Sequence, residues 1–274
     1  MTDAGIRVAR PSRMGRDEPP SFDCGIAVMA KASTPGLTKT RLVPPLTFEE
    51  AAAFNTAFLQ DIAANLLDAA GTASIAGYMA FGPPGSESFF RRHLPAGIGL
   101  IDVWFQDFGE CLLVAIQELL RRGHAAAVVL NSDSPTLPTT LLTQTAELLA
   151  RPGDRAVIGP ASDGGYYLLG LKQVHRRMFE QIDWSTDRVA GQTIERAREI
   201  RLPIHVLPAW YDVDDVAAMR LLHAELHEGH SFDASLQPNK ALHTAALLSR
   251  LATDAALSAR LHVAPEPAAQ RIAV

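Results

Sequence analysis

Two cysteines, Cys24 and Cys111, are too few and too far apart in 274 residues for a disulfide framework or a C-x-x-C metal or redox motif. A reducing, cytoplasmic setting is the expectation. No stretch reaches the roughly 18 consecutive apolar residues of a membrane span, so none is expected. The opening "MTDAGIRVARPSRMGRDEPPSFD" has no apolar h-region and does not read as a secretory signal. Basic excess is also missing. The 25 Lys+Arg against 30 Asp+Glu give a net charge of −5 with no basic stripe, which argues against nucleic acid as a partner. G-x-S-x-G does not occur, so a serine hydrolase has no support, and no G-x-G-x-x-G follows the first apolar run, which argues against a dinucleotide-binding enzyme. Small molecules, phosphorylated ones included, are the remaining substrates.

What is present is a globular composition, 47% hydrophobic, arranged as short apolar runs alternating with helical patterns. Residues 1–23 are polar, with Pro11, Pro19, Pro20 and four arginines, and are expected to be a disordered extension, or sequence upstream of a start at Met14. "GIAVMA" then reads as a buried strand. "FEEAAAFNTAFLQDIAANLLDAA" reads as a long helix with Thr47 as N-cap and Glu50 three residues on. Strands are predicted at "ASIAGYMAF", "GLIDVWFQ", "AAAVVLN" and "RAVIGP", with helices at "GECLLVAIQELLRRG", closed by Gly123, and "TTLLTQTAELLA". Strands that are apolar throughout, separated by helices, imply an α/β protein with a mostly parallel sheet covered on both faces. In the second half "DGGYYLLGL" reads as a turn and a strand open to antiparallel pairing. Helices follow at "TDRVAGQTIERAREI" and "DVDDVAAMRLLHAELHEG", around a short strand, "PIHVLP". The expected division is an extension over 1–23, a globular α/β domain over 24–230, and an Ala/Leu-rich helical tail over 231–274 that packs on the domain or on a second subunit.

In open α/β sheets ligands sit beyond the C-terminal strand ends, which draws attention to four loops. In "KASTPGLTKTRL", Lys31 stands where a Walker A loop needs its first Gly, and Gly36 is followed by Leu37 and Thr38 before Lys39 and Thr40, so this is no P-loop. Backbone amides around Gly36 and the charges of Lys31, Lys39 and Arg41 suit phosphate all the same, while Thr34, Pro35 and Thr38 could simply shape the turn. Lys39 and Arg41, two apart, would point the same way in an extended segment. In "VVLNSDSPTLP", Asp133 follows a strand and either holds a hard cation or caps a turn. "ASDGGYY" offers Asp163, Gly164 and Gly165, which fit a close backbone approach to ligand or a plain turn. "WYDVDDV" has Asp212, Asp214 and Asp215 before a helix, one acid for a cap and two left over. His223 and His227 in "HAELH" lack the Glu placement of a zinc protease and read as a solvated helix face.

Taken in order, "MAKASTPGLTKTRL", "NSDSPTLP", "GPASDGGYYLLGL", "IDWST" and "YDVDD" resemble the glycosyltransferase-A-like transferases often encoded near radical-SAM and selenium-related genes, from Gly25 to Leu226. That family is similar in fold to phospholactate and molybdenum-cofactor guanylyltransferases. The resemblance implies a nucleotide-diphospho-sugar transferase (GT-A, Rossmann-like) fold with a mixed sheet, nucleotide over the first half and acceptor over the second. It implies Asp133 and Asp214 as ligands of Mg²⁺ (or Mn²⁺), and Gly36, Lys39 and Arg41 in a phosphate loop to which Lys31 also belongs. Asp163, Gly164, Gly165 and Trp184 would lie on the acceptor side, with Ser185 beside Trp184. The sequence departs from the family pattern with Asn131-Ser132-Asp133 for Gly-Thr-Asp, with "QDFGEC" for a Gly-Asp-Leu-Gly segment, leaving Asp107, Gly109 and Glu110, and with Asp214-Asp215 at the closing acidic motif.

The expected chemistry is transfer from a nucleotide-activated donor to a small acceptor, with Asp133, Lys39 and Arg41 as the catalytic residues. Glycosyl transfer from a nucleotide sugar, releasing a nucleoside diphosphate, is the expected reaction, as the family resemblance implies. Nucleotidyl transfer from a nucleoside triphosphate to a phosphorylated or phosphonylated acceptor, releasing pyrophosphate, is the alternative, and the two cations of the first loop suit it. A nucleotide-binding module without turnover is the rival from another class.

Overall fold

The computed structural model describes residues 23–252. Residues 1–22 of the expected extension, and the tail from residue 253, lie outside the described residues. In chain order the elements are β1 (Cys24–Lys31), α1 (Phe48–Ala70), β2 (Ile75–Gly82), α2 (Glu87–His93), β3 (Gly99–Asp102), α3 (Phe108–Arg121), β4 (Ala126–Leu130), α4 (Thr139–Ala150), β5 (Ala156–Pro160), β6 (Tyr166–Leu171), α5 (Val189–Glu199), β7 (Ile204–Val206), α6 (Val216–His227) and α7 (Leu242–Ala252). The seven strands form one sheet in the order β3-β2-β1-β4-β6-β5-β7. Only β6 runs antiparallel to its neighbours, β4 and β5; every other pairing is parallel.

The central strands β1, up to Ala30, and β4 are apolar at each position because both faces are covered. Ile26 and Val28 of β1 pack with Phe54, Phe58 and Ile62 of α1 on one side, while Ala27 faces the layer holding Leu112 and Ile116 of α3 on the other. Burying a side chain such as Phe58 or Ile26 completely contributes about 1.5–3 kcal/mol, so this sandwich fixes the positions of the strand ends. Local signals also act as read. Thr47 and Glu50 form a full capping box at the start of α1. Gly123, just beyond α3, has φ +98°, a conformation that glycine adopts without steric cost.

Two local expectations change. The segment between β2 and β3 contains α2, which the sequence pattern does not announce: it is seven residues long, follows Pro83-Pro84-Gly85, and buries only Phe90. The third strand ends at Asp102, sooner than "GLIDVWFQ" suggests. Val103 still donates to the Phe81 carbonyl (3.1 Å), after which Trp104 and Phe105 turn out to half-exposed positions. The described part of the tail packs on the domain. Asp61, a buried carboxylate on α1, accepts hydrogen bonds from the amides of His243 and Thr244 (2.8 Å each) and from the Thr244 hydroxyl (2.5 Å). It thereby caps α7 from outside, and Leu247 and Leu248 bury beside it.

Candidate active site

β1 has β2 on one side and β4 on the other, so the connections diverge at the β1/β4 boundary, where crevices form beyond the C-terminal strand ends of open sheets. A cavity of about 310 Å³ opens there, lined at the strand ends by Lys31 and Asn131 and further out by Lys39, Arg41, Asp133 and Asp214. The loops that sequence reading singled out for phosphate and for metal therefore meet in one place.

Lys39 is the centre of the arrangement. Its Nζ lies 2.7 Å from Asp133 Oδ1 and 2.9 Å from Asp214 Oδ1, and donates to the Val213 carbonyl at 2.8 Å. All three ammonium donors are thus used, and the side chain is only 5% exposed. Burial alone would favour the neutral amine, but the charges and hydrogen bonds of Asp133 and Asp214 outweigh it and hold the ammonium above the usual lysine range. The expected extended path of this loop is not found. Lys39 is left-handed (φ 52°, ψ 36°) and opens a 3₁₀ turn over Thr40–Leu42, yet both cations still reach the one carboxylate of Asp214, Lys39 from a buried position and Arg41 from an exposed one. Arg41 is 73% exposed and reaches only Asp214, at 3.5 Å. The preceding turn is tied by Thr34 and Thr38: the Thr38 hydroxyl donates to the Thr34 carbonyl (3.1 Å) and accepts from the Thr34 amide (3.3 Å). Gly36 takes φ +77° there and does not line the cavity.

The two carboxylates are held by a cross-link between distant segments. Val213 donates to the Asp133 carbonyl (2.8 Å), and the Ser134 hydroxyl to the Tyr211 carbonyl (2.9 Å). Beneath them the Thr136 hydroxyl donates to the Tyr211 hydroxyl (2.9 Å), which donates to the buried carboxylate of Glu225 (2.6 Å). Tyr211 and Glu225 carry no motif, and only the fold shows that they support the site. The acidic run 212–215 divides by role. Asp215 caps α6 through the Ala218 amide (2.8 Å), as a helix start alone requires. Asp214 meets Lys39. Asp212 is pushed up to about 6, by burial first and then by the charges of Asp163 and Asp214.

The residues present fit a hard divalent cation in one specific sense. Asp133 and Asp214 already converge on a single cation, the Lys39 ammonium. Mg²⁺ characteristically takes one or two carboxylates and completes its shell with water and substrate phosphates. Among the described residues no group of three or more His, Cys, Asp or Glu side chains is placed to hold a metal without such help. His223 and His227 form no such site either; their rings lie 5.2 Å apart on α6.

None of the residues expected on the acceptor side, Asp163, Gly164, Gly165, Trp184 and Ser185, lines this cavity; Trp184 approaches it through Phe108, and several of the others have structural work. Gly164 has φ +91°, and a Cβ there would lie 2.1 Å from the Asp187 carbonyl oxygen, so the close approach of two backbones requires glycine. Asp163 accepts from the Gly165 amide (2.8 Å) and shapes the turn into β6. Ser185 has a positive φ of 65°. Trp184 packs over Gly109, where a Cβ would lie 2.8 Å from the indole, and meets Phe108 edge to face at 5.5 Å. Phe108, half exposed, also lines the cavity. The "QDFGEC" departure is thereby explained locally: Asp107 caps α3 through the Glu110 amide (2.8 Å). On the other flank the Trp104 ring lies against Gly82, with Lys31 Nζ 5.7 Å from the ring centre. At the cavity wall Asn131 donates to the Ser134 hydroxyl (3.1 Å), while its buried carbonyl oxygen has no hydrogen-bond partner.

Comparison with known proteins adds to this geometry. A family model described as an uncharacterized protein conserved in bacteria (DUF2064) matches residues 65–186. That span includes Asp133, Asp163 and Trp184 but leaves out Lys39, Arg41 and Asp214. The structure is similar to that of a candidate nucleotide-diphospho-sugar transferase from Desulfovibrio desulfuricans G20, at 27% identity and a TM-score of 0.72, covering 86% of this chain and 97% of that one. It is similar at a TM-score of 0.50 to a cytidylyltransferase from Leptospira borgpetersenii serovar Hardjo-bovis, with 11% identity and coverage of 90% and 100%. A CMP:2-keto-3-deoxy-manno-octonic acid synthetase complexed with CTP matches at the same TM-score, with 12% identity and coverage of 76% and 100%. A search of curated proteins finds no match. The chain has the nucleotide-diphospho-sugar transferase fold expected from the sequence. Among the described residues no helix is long and apolar enough to cross a membrane.

Proposed function

We propose that the protein is a transferase that binds a nucleotide-activated donor in the β1/β4 cleft and passes part of it to a small acceptor held towards Trp184. The observation that carries this reading is the convergence of Lys39, Asp133 and Asp214 on one point at the cavity wall, with Arg41 and Lys31 on the same cavity. A polyanion meets positive charge there, and the paired carboxylates supply a seat for Mg²⁺ (or Mn²⁺). Such an ion, once bound, neutralises charge on the donor phosphates. Lys39 and Arg41 offset the negative charge that grows on the leaving group, and the rigid strand ends hold donor and acceptor in line.

Of the two transfers compatible with this site, the three cations around the cavity favour nucleotidyl transfer from a triphosphate. An oxygen of a phosphorylated or phosphonylated acceptor forms a bond to the α-phosphorus, the bond from that phosphorus to the bridging oxygen breaks, and pyrophosphate departs with the electron pair. Such an acceptor oxygen is already ionised, so no general base is required. In the glycosyl alternative, supported by the description of the Desulfovibrio protein, an acceptor hydroxyl oxygen forms a bond to the anomeric carbon of the sugar, the bond from that carbon to the phosphate oxygen breaks, and the hydroxyl proton is lost to the released nucleoside diphosphate or to water.

A thermal-shift panel of nucleoside triphosphates and nucleotide sugars, with and without Mg²⁺, tests the reading. At least one ligand is expected to raise the melting temperature only when metal is present. No metal-dependent shift with any ligand removes the case for a donor site. Product analysis then separates pyrophosphate from nucleoside diphosphate, and binding without product leaves a non-catalytic nucleotide-binding module.

A further inference from the structure

The same contacts that mark the site also restrict what can enter it. Asp133 and Asp214 are joined to the protein's own cation, and Lys39 has no unused donor: two carboxylates and the Val213 carbonyl take all three. Its stem runs past the Phe58 ring, with Nζ 5.4 Å from the ring centre, in a buried slot. A divalent cation at the same point draws on the same two carboxylates, and charge repulsion keeps an ammonium and a divalent ion from sharing that point. The displaced ammonium then needs another anion, because a buried charge without a partner is strongly disfavoured. A flexible four-carbon stem lets it turn into the cavity without backbone movement. A phosphate chain in that cavity supplies both needs, oxygens for the metal and an acceptor for Lys39.

We infer that Lys39 is a resident competitor for the metal seat, so that the site takes up a divalent cation together with a polyphosphate and discriminates against the free ion. The inference rests on the proposed donor site and assigns Lys39 two successive partners: the carboxylates first, the phosphates after. It makes an outcome opposite in sign to that of an ordinary site residue. Loss of Lys39 strengthens binding of metal alone while weakening binding of the nucleotide.

The experiment is titration of the full chain with Mn²⁺ alone, followed by electron paramagnetic resonance of the free ion and by calorimetry, for wild type, Lys39→Met and Lys39→Met/Asp133→Asn. Lys39→Met is expected to bind Mn²⁺ about tenfold or more tightly than wild type, since each hydrogen bond between charged groups that the metal need not break is worth that much. The double variant is expected to lose the gain. Lys39→Gln, with a polar tip, serves as the second replacement, and circular dichroism confirms folding of each. Equal or weaker Mn²⁺ binding by folded Lys39→Met and Lys39→Gln, in a protein whose wild type shows the metal-dependent nucleotide shift, overturns the inference and leaves the transferase reading standing. Failure of wild type to bind Mn²⁺ with any nucleoside triphosphate or nucleotide sugar overturns both.

Discussion

Lys39 and Asp61 are both charged side chains buried almost completely, yet their surroundings differ in one respect that decides their roles. Asp61 is 2% exposed and is enclosed by donors: two amides and a hydroxyl at the start of α7. Lys39 is matched by acceptors just as fully, but its partners line a cavity, and Asp133 and Asp214 keep 30% and 39% of their side-chain surface open. A charge enclosed on all sides holds structure together. A charge whose partners face an opening can be exchanged for a ligand.

Replacement of each in turn separates the two. Asp61→Ala is expected to cost about 3 kcal/mol in urea unfolding, because it leaves the His243 and Thr244 donors unsatisfied. The metal-dependent nucleotide shift is expected to remain; its loss would show that α7 docking reaches the cleft. Gly164→Ala is next, at about 2 kcal/mol or more of destabilisation, from a strained φ and a backbone clash. A stable Gly164→Ala protein with impaired acceptor use would instead make Gly164 a ligand-binding position. Asp133→Ala is expected to cost about 1–2 kcal/mol, because it leaves one donor of the buried Lys39 ammonium unpaired while Asp214 and the Val213 carbonyl remain, and to abolish the metal-dependent shift. Retention of that shift would end the assignment of Asp133 to the metal. Arg41→Ala, at an exposed position, should weaken donor binding by only about tenfold, measured by calorimetry, with unfolding unchanged. A loss as large as that of Asp133→Ala would rank Arg41 above Lys39.

The smallest effect is one of pH. Burial outweighs the hydrogen bonds to Asp61 and raises its carboxyl above the usual range. A raised folded-state value means that the stabilising contribution is complete below the unfolded value, near 3.9, and is lost as pH rises through the folded one. The penalty of Asp61→Asn should therefore be larger at pH 4 than at pH 7. A penalty that grows with pH would show that the donors of α7, rather than burial, dominate at this carboxylate.

How much of this was legible in advance depends on how local the cause is. The capping box at Thr47 and Glu50, the bounds of α4 and the positive φ at Gly123 follow from neighbours in sequence, and each appears where the pattern placed it. The two-sided sheet was legible because β1 up to Ala30 and all of β4 are apolar. The α2 helix was not, because seven residues show too little periodicity. At the site, Asp133, Asp214, Lys39 and Arg41 are all legible as candidates, and both cations do reach Asp214, but the path between them is a 3₁₀ turn rather than an extended segment, and it buries one and exposes the other. Tyr211 and Glu225 gave no signal, since a tyrosine and a helix glutamate become a support only when Thr136 is brought beneath them.

By itself, then, the sequence determined the longer strands and helices, that both sheet faces are covered, and which polar loops stand at strand ends, because those properties depend on side-chain periodicity and near neighbours. Tertiary structure alone decided that Lys39 meets Asp214, 175 residues away, rather than solvent. It also decided which of the acids after Tyr211 caps a helix and which faces the cavity, because burial and charge pairing are properties of space that no spacing along the chain encodes.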